Sequence, residues 1–172
     1  MPTVAVDLFT ELRALLMGLI PGVEVVKGLA NDVPMPLGAF ISMTGIGQRR
    51  LATNKHEYSD LGALTSPKTA LGTVDIEQPT AYEIQVDCYG PQSSDWATKI
   101  SAVWRDSYAV DYLRPFGMSP LYADDQRQIP LQDSSQNYEE RWVVVLTLQY
   151  TPTVTAPMNF FDTLPITFGQ PL

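Results

Sequence analysis

PTAYEIQVDCYGPQSSDWATKISAVWRDSY, residues 79–108, decides how the rest of the chain is read. Its first half alternates. Tyr82, Ile84, Val86 and Cys88 point one way, and Glu83, Gln85, Asp87 and Tyr89 the other. A period of two with one apolar set predicts a strand over Ala81–Tyr89 with one face buried. Gly90-Pro91 breaks it. Ser93 or Ser94 can then cap a helix through its hydroxyl, with Asp95 favourable in the first turn. The helix is predicted from about Asp95 to Tyr108. Trp96, Ile100, Val103, Trp104 and Ser107 fall along one side, so the helix should lie across the sheet that holds the strand.

The natural partner of this strand is Tyr138–Tyr150, in which Trp142, Val144, Leu146, Leu148 and Tyr150 alternate with Val143, Val145, Thr147 and Gln149. Both sets are largely apolar near the middle, which predicts a central strand. Glu139, Glu140 and Arg141 before it read as solvated. Upstream, Val4–Ile20 is a helix with two apolar rows, one carrying Val6, Phe9, Arg13, Leu16 and Ile20, the other Leu8, Leu12, Leu15 and Leu19. Such a helix packs on more than one side. Pro21-Gly22 ends it. Val23–Lys27 is a short strand. LANDVPMPLGA is an extended connector, and Ala39–Thr44 a strand that resumes over Gln48–Ala52 after a break at Gly45-Ile46-Gly47. Val110–Gln128, with Pro115, Gly117 and Pro120, reads as a connector.

Two segments stand outside this frame. Thr53–Gln78 is polar and shows no helical period. It reads either as an extended β-hairpin arm between Gln48 and Thr80 or as a surface loop. Thr151–Leu172 is a tail punctuated by prolines, yet Phe160, Phe161, Leu164, Ile166 and Phe168 are too apolar for a solvated end, so it should dock on its own domain or on a neighbouring subunit. The expected architecture is one α+β domain over residues 1–172, an antiparallel or mixed β-sheet with helices packed on it. Residues 53–78 would be the insertion or arm and 151–172 the extended tail.

Composition narrows the function classes. The chain has 172 residues, 17% of them charged, with a net charge of -8. Bulk electrostatic binding to nucleic acid needs clustered Lys and Arg, and the only basic pair is Arg49-Arg50. With one cysteine, Cys88, no internal disulfide forms, and a reducing cytosolic origin fits. No secretory leader or membrane span is expected. His56 is the only histidine and no zinc cluster is in reach. Neither a Walker A sequence nor a Rossmann glycine pattern occurs. Cys88, in the apolar series, reads as a buried structural thiol. Asp124-Asp125 reads as a turn before it reads as a metal or acid–base site. No cofactor, metal or catalytic residue is expected.

Three segments carry a resemblance: LFTELRALLMGLIPGVEVVKG near the start, YEIQVDCYGPQSSDWATKISAVWRD, and PLYADDQRQIPLQDSSQNYEERWVVVLTLQYTPTVTAPMNFF. Together, over roughly Val4–Phe161, they resemble the phage neck or tail terminator family of tailed phages. The more specific signals are IQVDCYG followed by DWA, and QNYEERW followed by QYTP. The resemblance implies a structural virion protein without catalytic residues. Its subunits would form a ring, commonly a homohexamer, that stops tail tube polymerisation and docks the head connector. In contractile-tailed phages the ring would also touch the last sheath ring. DNA would pass through the lumen without specific binding, repelled by acidic residues such as Glu83 and Asp87, beside Gln85 on the outward strand face. Arg49, Arg50, Tyr58, Phe160 and Phe161 are the expected intersubunit contacts. Assembly would take place in the host cytoplasm. Another connector, head-completion or tube-initiating ring is the nearest alternative. A hydrolase using Asp87, Asp124 or Asp125, and a carbohydrate-binding module using exposed tyrosines, are the readings from other classes.

Overall fold

The computed structural model describes residues 4–29, 36–60, 72–132 and 138–158. In chain order its elements are α1 (Val4–Leu19), β1 (Glu24–Lys27), β2 (Phe40–Arg50), β3 (Lys55–Asp60), β4 (Gly72–Glu77) and β5 (Thr80–Tyr89). There follow α2 (Ser93–Val103), α3 (Ser107–Leu113), a 3-10 turn (Arg114–Phe116), β6 (Ser119–Ala123) and β7 (Arg127–Gln128). The last are β8 (Leu131–Gln132), β9 (Tyr138–Glu139), β10 (Arg141–Tyr150) and β11 (Thr153–Met158). The expected α+β class holds. The chain divides into two compact units, Met1–Leu51 with Pro79–Thr151, and Ala52–Gln78 with Pro152–Leu172.

The first unit is built on a mixed sheet in the order β1-β2-β5-β10-β6, with β7 also pairing β10. β1 runs parallel to β2, and the other pairings are antiparallel. The register brings Ile41, Cys88 and Trp142 side by side, then Met43, Val86 and Val144. That face carries the core. Leu8, Leu12 and Leu16 of α1 and Trp96, Ile100 and Trp104 of the α2 segment are buried with it. Fully burying a side chain of this size stabilises by about 1.5–3 kcal/mol, so the helices are held mainly by this face. Polar ties add direction: Trp104 Nε1 donates to the Thr147 carbonyl at 3.1 Å and Arg13 Nε to the Val25 carbonyl at 2.8 Å.

The structure departs from expectation at five places. The predicted break at Gly45-Ile46-Gly47 is a bulge inside one continuous strand, where the register to β5 shifts by a residue. Gly45 suits the spot because a Cβ there would run into the Tyr82 hydroxyl. The predicted helix to Tyr108 stops at Val103. Asp106 is extended (φ -79°, ψ 163°), and its carboxylate accepts from the Tyr108 amide and so starts α3. Ala109 and Leu113 bury α3 at one helical spacing, too short a pattern to stand out in sequence. Nor does Ser93 or Ser94 cap α2. Gln92 occupies that position without a side-chain bond, and Ser93 is buried. Within the expected connector Val110–Gln128, β6 and β7 both pair with β10 and shield its outer edge. Finally, Tyr138–Tyr150 is divided at Glu140: β9 pairs with β8, and β10 starts at Arg141.

The second unit contains a three-stranded antiparallel sheet in the order β11-β4-β3. The polar insertion therefore is a hairpin-like arm. β11, from the segment expected to be a tail, lies along β4 from Thr153↔Glu77 to Met158↔Gly72. Residues 61–71 and 159–172, the rest of those two segments, lie outside the described residues.

Candidate functional site

The expected contact residues fall in different places. Arg49 and Arg50 are exposed at the end of β2 in the first unit. Neighbours in a strand, they point to opposite faces, and Arg49 donates to the Tyr122 hydroxyl at 3.4 Å. Tyr58 lies in β3 of the second unit, 57% exposed, its ring stacked 6.3 Å from that of His56. Phe160 and Phe161 lie outside the described residues.

In the arm the strand register sorts side chains by chemistry. His56, Ile76 and Val154 are paired across the three strands, and so are Tyr58, Val74 and Ala156. They share one face because side chains alternate along a strand. The intervening rows, Lys55-Glu77-Thr153 and Glu57-Asp75-Thr155, make the other face polar. On that side Lys55 Nζ sits 3.3 Å from Glu77 Oε2, and the Thr155 hydroxyl donates to Asp75 at 2.5 Å. The apolar face is partly covered: Val74, Ile76 and Ala156 are half-buried, no hydrophobic residue of this unit is buried among the described residues, and Val154 is 60% exposed. The alternation His56/Tyr58 and Val74/Ile76 was readable in the sequence; only the pairing reveals that the rows coincide and that β11 extends them.

The first unit has its own apolar surface on the helix side. The Tyr108 hydroxyl lies 3.5 Å from where a Cβ of Gly18 would be, beside the exposed Met17. Tyr112 and the exposed Phe116 have rings 5.9 Å apart. Phe116 also borders a cleft of about 600 Å³ walled by Leu8, Glu11, Met118 and Tyr150.

The face of β5 assigned to a lumen is not uniformly available. Asp87 is buried, and Arg141, expected to be solvated, reaches it at 2.8 Å. Gln85 Nε2 donates to both carboxylate oxygens, at 3.0 and 3.1 Å. Arg141 also lies over the Tyr89 ring, which stacks on Phe40 at 4.4 Å. Asp87 therefore belongs to a structural network closing one end of the sheet. Glu83 and Gln85 remain half-buried.

Nothing in these positions assembles a reaction centre. Cys88 is fully buried, and loss of hydration, reinforced by the Asp87 charge, pushes its thiol up to about 12. A thiol held protonated is a poor nucleophile. Asp124 and Asp125 line a shallow, open depression with Gln126 and Arg127, and the Asp124 amide is tied to the Val145 carbonyl at 2.8 Å. Among the described residues, no three His, Cys, Asp or Glu side chains come together as a metal site, and no helix is long and apolar enough to cross a membrane. The described residues around these positions present apolar and charged surface.

The sequence model of the phage neck terminator protein family matches residues 6–171. A search of curated proteins finds no match.

Proposed function

The chain belongs to the phage neck terminator protein family, structural components of the virion's head–tail joint, and from that premise we propose that it closes into a ring, a homohexamer, on the end of the tail tube. The ring stops tube polymerisation and offers its other side to the head connector, and in a contractile tail it also meets the last sheath ring. The subunits assemble in the host cytoplasm. The observation that carries the reading is the extent of the family match, residues 6–171, both units included.

The physical features support it. A closed ring needs two different surfaces on each subunit that fit one another, and the chain has open apolar surface on each of its two units. Arg49, Arg50 and Tyr58, all exposed, are proposed contacts between subunits, with Phe160 and Phe161. The net charge of -8 lets DNA pass the lumen without being held.

The test is electron microscopy of the purified protein, alone and with tail tubes. Rings that cap one tube end and arrest its growth are expected. A protein that stays monomeric at high concentration and never caps tubes would overturn the reading. Rings found instead at the baseplate end would reassign it to tube initiation.

A further inference from the structure

The geometry points to the apolar face of the β11-β4-β3 arm as the surface that docks onto a second copy of this chain, against its Met17–Tyr108–Phe116 patch. This deepens the ring reading and rests on it.

The face is defined by His56, Tyr58, Val74, Ile76, Val154 and Ala156. A one-layer sheet that gathers Tyr58, Val74, Ile76, Val154 and Ala156 on one side gains little from doing so unless a second layer covers them. No such layer is present among the described residues of its unit: Tyr58, Val154 and Met158 are all exposed. The opposite face carries Lys55, Glu57, Asp75 and Glu77, three acids and one base, and is made for water.

The choice of occupant follows from chemistry, and the area sets how the contact can persist. The helix-side patch has the same character as the arm face, aromatic and open, and the cleft beside Phe116 is large enough for an aromatic side chain such as that of Tyr58. Two unlike apolar surfaces on one chain make the head-to-tail contact from which rings close. Three strands of six paired residues each span about 20 by 14 Å, or about 280 Å². A stable pair needs about 800 Å² from each partner. The arm contact alone is thus too small to hold a dimer, and it persists only where closure lets several contacts support one another. Isolated dimers should accordingly be scarce beside monomers and closed rings.

Neighbouring residues of one strand give a matched test. Val154→Lys places a charge on the apolar face, and Thr153→Lys places the same charge on the polar face. Sedimentation velocity on the full chain, with circular dichroism to verify folding, reads the outcome. We expect wild-type protein and T153K to form the same rings, and V154K to need at least tenfold more protein while keeping its wild-type spectrum. Val154→Ser, a milder change, should weaken the ring in the same direction and serves if the lysine variant does not fold. Tyr108→Asp should also weaken it, and mixing Y108D with V154K should restore rings better than either alone. Rings of V154K and V154S at wild-type concentrations would overturn the arm inference and leave the ring reading intact. A two-fold dimer joined arm to arm would overturn the assignment of the occupant. Wild-type protein that remains monomeric with and without tubes would remove the ring reading and this inference together.

Discussion

At the scale of single residues, two buried groups govern how the first unit responds to pH and mutation. The Cys88 thiol, raised from 9.0 to about 12, keeps its proton in the folded chain after the unfolded chain has released it. Stability from this source is complete below about pH 9 and falls as pH rises, by at most about 1.4 kcal/mol per unit. Tyr82, Tyr89, Tyr112 and Tyr150 are also raised, from 10.0, and lose stability in the same direction as pH nears 10, so the cysteine is read from the difference between wild type and Cys88→Ala. Urea titrations between pH 8 and pH 10 should show the wild type losing stability more steeply with pH than Cys88→Ala. An equal slope in both would refute the assignment. Asp87 sets a second expectation. Removing a partner from a buried ion pair leaves a charge that water cannot reach. Arg141→Met should therefore cost about 3 kcal/mol, whereas adding Asp87→Asn to it should recover most of the loss, since Gln85 can still bond the amide. The midpoints of urea unfolding distinguish these outcomes.

At the scale of elements, the turn between α2 and α3 decides where the helix side of the first unit bends. Trp104 ends the buried stripe and Asp106 starts the next helix two residues later. Losing an N-cap carboxylate costs about 0.5–2 kcal/mol. α3 has only seven residues and the bond is long, 3.4 Å, so Asp106→Ala should lie near the lower end of that range. An unchanged urea midpoint would show that the packing of Ala109 and Leu113 alone holds α3. The same turn carries Tyr108 into the exposed patch, so the variant should also loosen ring formation. The arm obeys a different rule. Its strands have no buried hydrophobic residue of their own among those described, so their stability is tied to whatever covers the apolar face.

For the whole molecule, charge and assembly matter more than any single contact. A chain with net charge -8 and one basic pair releases few counterions on meeting a phosphate backbone. Gel-shift experiments with duplex DNA at low salt should show no retention at micromolar protein. A salt-sensitive shift would mean that Arg49 and Arg50, with other bases, line a DNA path, contrary to the lumen proposed above. Hydrogen exchange is the complementary measurement across the whole chain. The β5–β10 ladder should be the most protected part of the free protein, with the arm strands gaining protection when rings form.

The sequence by itself determined the pieces whose environment is set by their own pattern. The alternation of Tyr82 to Cys88, the apolar run of β10 and the double row of α1 each encode a buried face. Local periodicity is enough to reveal them, and the family resemblance followed from the same segments. What only tertiary structure decided were the relations between distant residues. Asp87 looked outward until pairing set Arg141 beside it. The glycines after Thr44 looked like a break until β5 showed that the strand continues around a bulge. The rows of the arm looked like a polar insertion until β11, some eighty residues further on, completed one apolar face. Periodicity is local, whereas a register is a contact between segments far apart in the chain. The surfaces proposed to build the ring depend on registers of that kind.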